Sequence, residues 1–324
     1  MVLEPIGIWM GEHYLLASVI VLVASLYLLE KASDYIVIGI SGYAQTLGLS
    51  DSLIGFLVVS LAMTLPEFVS SLIGNQSGEP GIVFGTILGS GVVSITVILG
   101  TLAVLGGRVR LKEHLLGEIR PLILPMVALP LILSWDGAIS RIDGSLLLLA
   151  FIIFVVVLWK EEGTMGQMKE RVPMKTLYKD AFIFLFALAA LLLAARFLVF
   201  SSIVLAHEFG VPTYLMALTV IAIGASVGDF MLDVRSLAKG RKDIAVGDVL
   251  GGIIVGNTLA LGIIAMISPI KANVWDLAPA YFFFLIPLAG VMHLIKRGSM
   301  SRRHGVWLLS TYVAFLVVQI FVMR

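Results

Sequence analysis

Long apolar runs, bounded by short polar or Gly/Pro turns, follow one another along this chain from end to end. A run of about 20 apolar residues is long enough to cross about 30 Å of hydrocarbon as a helix. Ten such spans are predicted, near 14–40, 52–74, 82–105, 119–134, 143–159, 181–205, 213–238, 244–268, 277–295 and 305–323. The expected fold is all-α and polytopic. A second pattern lies over the first. Shifted by 162 residues, the chain falls on itself: Gly48 on Gly210, Val58 on Val220, Gly85 on Gly247, Gly89 on Gly251 and Gly100 on Gly262. Two repeats of five helices are therefore expected, over 1–160 and 181–324. A polar linker at 161–180, containing Pro173, joins them.

Composition supports the membrane reading. Apolar residues make up 59% of the 324, charged residues only 13%, and mean hydropathy is +1.05. A soluble domain carries about 25% charged residues. The absence of cysteine excludes disulfides, thiolate metal sites and cysteine nucleophiles. No feature points to nucleic acid. The net charge of +1 says little, but the placement of charge says more. Basic residues crowd the loops at 106–120 (Arg108, Arg110, Lys112, Arg120) and 160–180, the turn at 239–243 (Lys239, Arg241, Lys242) and the loop at 296–304. The intervening connections hold few, with Arg141, Arg196 and Lys271 assigned to them. By the positive-inside rule the rich loops are cytoplasmic and both termini lie outside, in the cell membrane. The first 13 residues lack Lys and Arg, so the first span is expected to be retained rather than cleaved as a signal peptide. Five spans per repeat is odd, so the second copy is inverted relative to the first.

The candidate chemistry obeys the same register. Thr64 falls on Ser226 and Glu67 on Asp229. A charge at the bilayer centre costs about 2.5 to 3.5 kcal/mol on insertion scales, so an intramembrane acid is read as functional by default. Pro66 interrupts its helix and frees an upstream carbonyl. Carbonyls, the Thr64 hydroxyl and the Glu67 carboxylate form a hard-oxygen set of the kind that Ca²⁺, Na⁺ and Mg²⁺ prefer. In the second copy Gly228 loosens the helix instead, and Asp233, whose repeat partner is Ser71, lies on the face of Asp229. Ser90, Ser94 and Asn257 add neutral oxygens. Asp248 is either a further ligand or a cap at a helix start. The five histidines form no cluster and are read as structural.

These motifs resemble the Ca²⁺:cation antiporter superfamily, whose two inverted repeats read roughly G-T-S-x-P-E followed by G-N-x-x-G-S-N-x-x-N. The resemblance covers nearly the whole chain. Ser226, Gly228, Asp229, Asp233, Gly251 and Gly252 look most like the branch of the mitochondrial sodium/calcium/lithium exchanger and the plant cation/calcium exchangers. It implies a secondary antiporter, without cofactor, that exchanges Ca²⁺ for Na⁺ or H⁺ by alternating access. The family's first threonine is Met63 here and Ala225 in the second copy, positions whose backbone carbonyls remain available to an ion. The side chains expected 27 residues after each acid are replaced by Ser94 and Gly256, with Asn257 one position late. Two alternatives stand beside this reading. Ser226-Val227-Gly228-Asp229 is one residue from the G-x-G-D of intramembrane aspartyl proteases, and a passive cation channel would use the same acids.

Overall fold

The structure, a computed structural model, describes residues 14–46, 60–110, 119–162, 174–238 and 242–322. The first half contains α1 (Tyr14–Thr46), α2 (Ser60–Met63), α3 (Leu65–Gln76), α4 (Pro80–Val93), α5 (Leu99–Gly106), α6 (Arg120–Leu133) and α7 (Arg141–Glu162). The second contains α8 (Met174–Phe209), α9 (Thr213–Met216), α10 (Ala222–Ala225), α11 (Val227–Ala238) and α12 (Lys242–Ile254). It closes with α13 (Leu261–Ile267), α14 (Val274–Lys296) and α15 (Arg302–Val322). Single π-helical turns join α4 to α5 (Ser94–Ile98), α9 to α10 (Ala217–Ile221) and α12 to α13 (Val255–Ala260).

The backbone follows the 162-residue offset. Shifted, α2 and α3 fall on α10 and α11, and the break at Thr64 falls on the break at Ser226. Two short strand pairs repeat the relation. Strand β1 (Arg108–Arg110) pairs antiparallel with β4 (Ser299–Ser301), and β2 (Ala138–Ile139) pairs with β3 (Ile270–Lys271). Under the offset β1 falls on β3 and β2 on β4, so one clip occurs twice. Helix α6 runs between them and places them at opposite ends of the molecule. The first clip ties together two connections rich in basic residues, and the second ties two poor ones.

Among the described residues, eight helices are long and apolar enough to cross a membrane. The helices at the places of the other two expected spans are shorter: Leu65–Gln76, whose expected start at 52–59 lies outside the described residues, and Arg120–Leu133. The expected linker lies largely outside them too. One sequence assignment is corrected: Arg196 lies in the interior of α8, on an exposed face, and not in a connection.

Burial separates centre from rim. The spans Pro80–Gly106 and Ala245–Ile267 are 83% and 72% buried, whereas Arg141–Lys160 and Arg302–Phe321 are each 22% buried. The rim helices therefore expose Leu, Ile and Phe where lipid would lie. Helices α1 and α8 pack along each other, with Ser18, Ser25 and Ser33 of one and Ala187, Ala194 and Ala195 of the other buried. Small side chains permit such close approach in a medium that gives no hydrophobic drive between helices. At the centre, α4 crosses the second half through Gly85 and Gly89. A Cβ on Gly89 would lie 2.5 Å from the Leu218 carbonyl oxygen and 2.6 Å from the Ala222 Cβ.

Candidate functional site

Pro66 occupies the first turn of α3, where its missing N–H would have no intrahelical partner in any case. The carbonyl four residues upstream, on Ala62, loses its donor. The Ser33 hydroxyl of α1 supplies one instead, 3.3 Å away, and also lies 3.9 Å from the Met63 sulfur. The freed carbonyl is thus occupied. Thr64 donates its hydroxyl to the Ser60 carbonyl at 2.6 Å, which leaves the oxygen lone pairs available. The second break has no proline. Ser226 still bonds helically in both directions, its N–H to the Ala222 carbonyl at 3.1 Å and its carbonyl to the Phe230 N–H at 3.0 Å. Gly228 follows, and a side chain there would meet the Glu30 Cγ of α1 at 3.3 Å.

Between these breaks lies a cavity of about 30 Å³. That is room for an unhydrated ion or one or two waters, and far too little for an organic solute. Met63, Thr64 and Glu67 line it from the first break, and Ser90 and Ser94 from α4 and the π turn that follows. Asp229 and Asp233 reach it from α11, Asp248 from α12, and Asn257 from the second π turn. Two expected site residues do not line it. Ala225 is half-buried off the cavity, and Ser226 is buried there with its hydroxyl unpartnered. The symmetry of Thr64 and Ser226 in sequence therefore does not extend to their roles in this wall.

The lining contains no Lys, Arg or His, and its polar groups are oxygen-rich. Glu67, Asp233, Asp248 and Asn257 are at most 4% exposed, while Asp229 is half-buried. Glu67 Oε2, both Asp233 oxygens and Asn257 Oδ1 have no hydrogen-bond partner, the Asn257 amide nitrogen being spent on the Ile253 carbonyl at 2.9 Å. A buried acceptor without a donor costs about 1 to 3 kcal/mol, and more when charged. A set of such acceptors around a space of ionic size has the chemistry of a candidate cation site. Asp248 Oδ1 accepts from the Ser60 hydroxyl at 3.2 Å. It lies in the middle of α12, so it is not a helix cap. Among the described residues no three His, Cys, Asp or Glu side chains converge closely enough to hold a metal by themselves. A bound cation would therefore take hydroxyl, amide or carbonyl oxygens along with carboxylates, as a hard ion does.

Sequence reasoning passed over Glu30. It is half-buried in α1 against Gly228, with no hydrogen-bond or ion-pair partner among the described residues. Its signal was present, because it is an acid inside the apolar span Leu15–Ile36 and the rule that selected Glu67 applies to it equally.

Inverted helical repeats that meet at a carboxylate-lined cavity of ionic size define a membrane ion transporter. The sequence matches the family described as Sodium/calcium exchanger protein twice, over residues 17–160 and 179–321. The chain belongs to that family and is an antiporter, not an enzyme, which removes the protease reading. Inner membrane protein YrbG of Escherichia coli strain K12 is 32% identical over 270 residues, covering 79% of this chain and 81% of that one. Sodium/calcium exchanger MaX1 of Methanosarcina acetivorans is 25% identical, covering 94% and 98%. The solved structure of the sodium-calcium exchanger NCX_Mj soaked with 2.5 mM Na⁺ and 1 mM Sr²⁺ superposes with a TM-score of 0.69. It covers 93% of this chain and 97% of that one at 22% identity, a likeness of fold.

Proposed function

We propose that the protein carries Ca²⁺ across the cell membrane in exchange for Na⁺ or H⁺, using the cavity between the two helix breaks as its one central site. The observation that carries this is the pairing of Glu67 and Asp229. They occupy matched positions of inverted repeats and line the same 30 Å³ space. Two carboxylates neutralise one divalent ion. Thr64, Ser90, Ser94, Asn257 and the Met63 carbonyl offer the neutral oxygens that fill a coordination shell of about six to eight. Asp233 and Asp248 stand in for the side chains absent at Ser94 and Gly256. On this reading Ser226 and the Ala225 carbonyl join the shell only when the second break rearranges.

The monovalent ion competes for the same carboxylates, so the carrier reorients when either cation neutralises the site and resists reorienting when none does. Moving uncompensated carboxylates through a low-dielectric interior is costly. On this reading the 106–120, 160–180, 239–243 and 296–304 segments are cytoplasmic and both termini lie outside, an orientation supported by the crowding of basic residues in those segments. Calorimetric titration of the purified protein with Ca²⁺ tests the site. Binding should be present in the native chain and lost in both Glu67→Gln and Asp229→Asn. Ca²⁺ binding of native strength in either variant would remove that residue from the shell.

A further inference from the structure

We propose that the groove between α8 and the end of α3 holds one anionic phospholipid, with its phosphate on Arg196 and an acyl chain along the apolar wall of α8. The groove shares no lining residue with the central cavity, so this is a second site with a different ligand.

An arginine inside a membrane span ordinarily faces the protein interior or a water-filled space, and pairs with an acid or a carbonyl. Arg196 does neither. It is the one charged residue in the apolar stretch from Phe182 to Ala206 of α8. It is exposed, and it has no hydrogen-bond or ion-pair partner among the described residues. The other repeat shows how this chain satisfies such a charge internally. The 162-residue offset places Arg196 on Asp34 of α1, and Asp34 is paired with Lys31 at 3.1 Å. Glu79, two residues beyond Ser77, does not serve Arg196 in this way. It does not line the groove, and its Oε2 accepts from the Thr213 hydroxyl. The partner of Arg196 therefore comes from outside the chain.

Arg196 lines a groove of about 550 Å³, a volume typical of sites for small organic ligands. Its wall along α8 is apolar, with Leu193, Val199 and Phe200. The facing wall is the end of α3, where Gln76 and Ser77 are exposed. The Ser77 hydroxyl is spent on the Ile73 carbonyl at 2.8 Å, but the Gln76 amide makes no hydrogen bond among the described residues and is a second free donor on this groove. Gly78 follows with a φ of +85° and turns the chain out of the helix, so the polar end of the groove lies where α3 leaves the span. A guanidinium suits phosphate through paired N–H donors and stays charged at any working pH. A water-soluble anion would leave the apolar wall without a complement. A zwitterionic lipid brings its own cation to compete for the phosphate. An anionic lipid satisfies both the charge and the wall.

The test is lipid retention by the full chain, purified in detergent with phosphatidylglycerol or phosphatidylcholine and weighed by native mass spectrometry. The native protein should keep one phosphatidylglycerol through washing that strips phosphatidylcholine. One arginine beside an anionic headgroup changes affinity about fivefold. Arg196→Leu should weaken phosphatidylglycerol binding by that factor, and Arg196→Lys should keep most of it. Losing a charge from the apolar span eases insertion, so the leucine variant should fold. Arg141→Leu removes another exposed arginine, at the start of α7, and should retain lipid as the native chain does. Equal retention of the two lipids by the native protein would overturn the proposal. Native retention in Arg196→Leu, or an equal loss in Arg141→Leu, would do the same. Displacement of the lipid by inorganic phosphate would overturn it too, by making a free anion the occupant. Exchange at the central cavity would stand in each of these cases.

Discussion

Gly89→Ala tests whether the contact between α4 and the second repeat holds the site in shape. A Cβ built on Gly89 meets three groups that cannot swing aside: the Leu218 carbonyl oxygen at 2.5 Å, the Ala222 Cβ at 2.6 Å and the Leu218 Cα at 3.0 Å. Ordinary contact begins near 3.4 Å, so α4 must retreat by about 0.9 Å from the oxygen. Overpacking of this kind costs about 1 to 3 kcal/mol. Alanine returns up to about 1 kcal/mol through helix propensity, so the net loss is about 0 to 2 kcal/mol and thermal stability falls modestly. The functional effect is larger. Ser90 is the next residue and Ser94 lies one turn on, and both line the cavity. A site built to about 0.5 Å does not survive a shift of 0.9 Å in its wall. Ca²⁺ oxygens sit within about 2.3 to 2.6 Å of the ion, so KM should rise about tenfold or more. The assay is ⁴⁵Ca²⁺ uptake against Ca²⁺ concentration, with melting followed in detergent. Gly252→Ala controls for melting, because its Cβ would meet only the Thr64 hydroxyl at 3.8 Å. Native KM in Gly89→Ala would refute the reasoning.

The other expectations are briefer. Glu67→Gln and Asp229→Asn should each abolish Ca²⁺ uptake while insertion and gel-filtration profile stay native, since an amide matches the shape of the carboxylate but not its charge. Aggregated protein would mean that the acid was structural. Ser60→Ala removes the hydroxyl that donates to Asp248 Oδ1. A hydrogen bond to a charged group contributes about 1.5 to 3 kcal/mol, so Ca²⁺ affinity measured by calorimetry should change at least several-fold, and an unchanged isotherm would count against Asp248 in the shell. Thr213→Val breaks the 2.7 Å bond to Glu79 that ties the start of α9 to the start of α4. It should lower the melting temperature by a few degrees and leave KM alone, so a change confined to KM would contradict the structural role.

Much of this architecture was legible because its causes are local or repeated. A span is set by the length of an apolar run, and the 162-residue offset multiplies each weak signal by two. Glu67 and Asp229 stand out because any acid does in such a background. What could not be read depended on contacts between helices. The π turns at Ser94–Ile98 and Val255–Ala260 leave no mark in hydrophobic periodicity, yet they rotate the wall that carries Ser94 and Asn257. Pro66 announced a freed carbonyl, but only the packing of α1 shows that Ser33 takes it. Ser226 matches Thr64 in register and in its backbone bonds and still misses the cavity; the Thr64 hydroxyl is fixed on the Ser60 carbonyl, whereas that of Ser226 has no partner, a difference of packing that register does not carry. Arg196 was assigned to a connection because it is charged, and the apolar length of α8 carries it inside.

The central claim is coupled exchange at the Glu67–Asp229 cavity. It is tested most directly by ⁴⁵Ca²⁺ uptake into proteoliposomes of the native chain, with Na⁺ and pH gradients imposed separately. Uptake should be driven by at least one gradient and abolished when that gradient is collapsed. The same gradient should drive nothing in Glu67→Gln. Ca²⁺ flux indifferent to both gradients would contradict antiport and point to a channel.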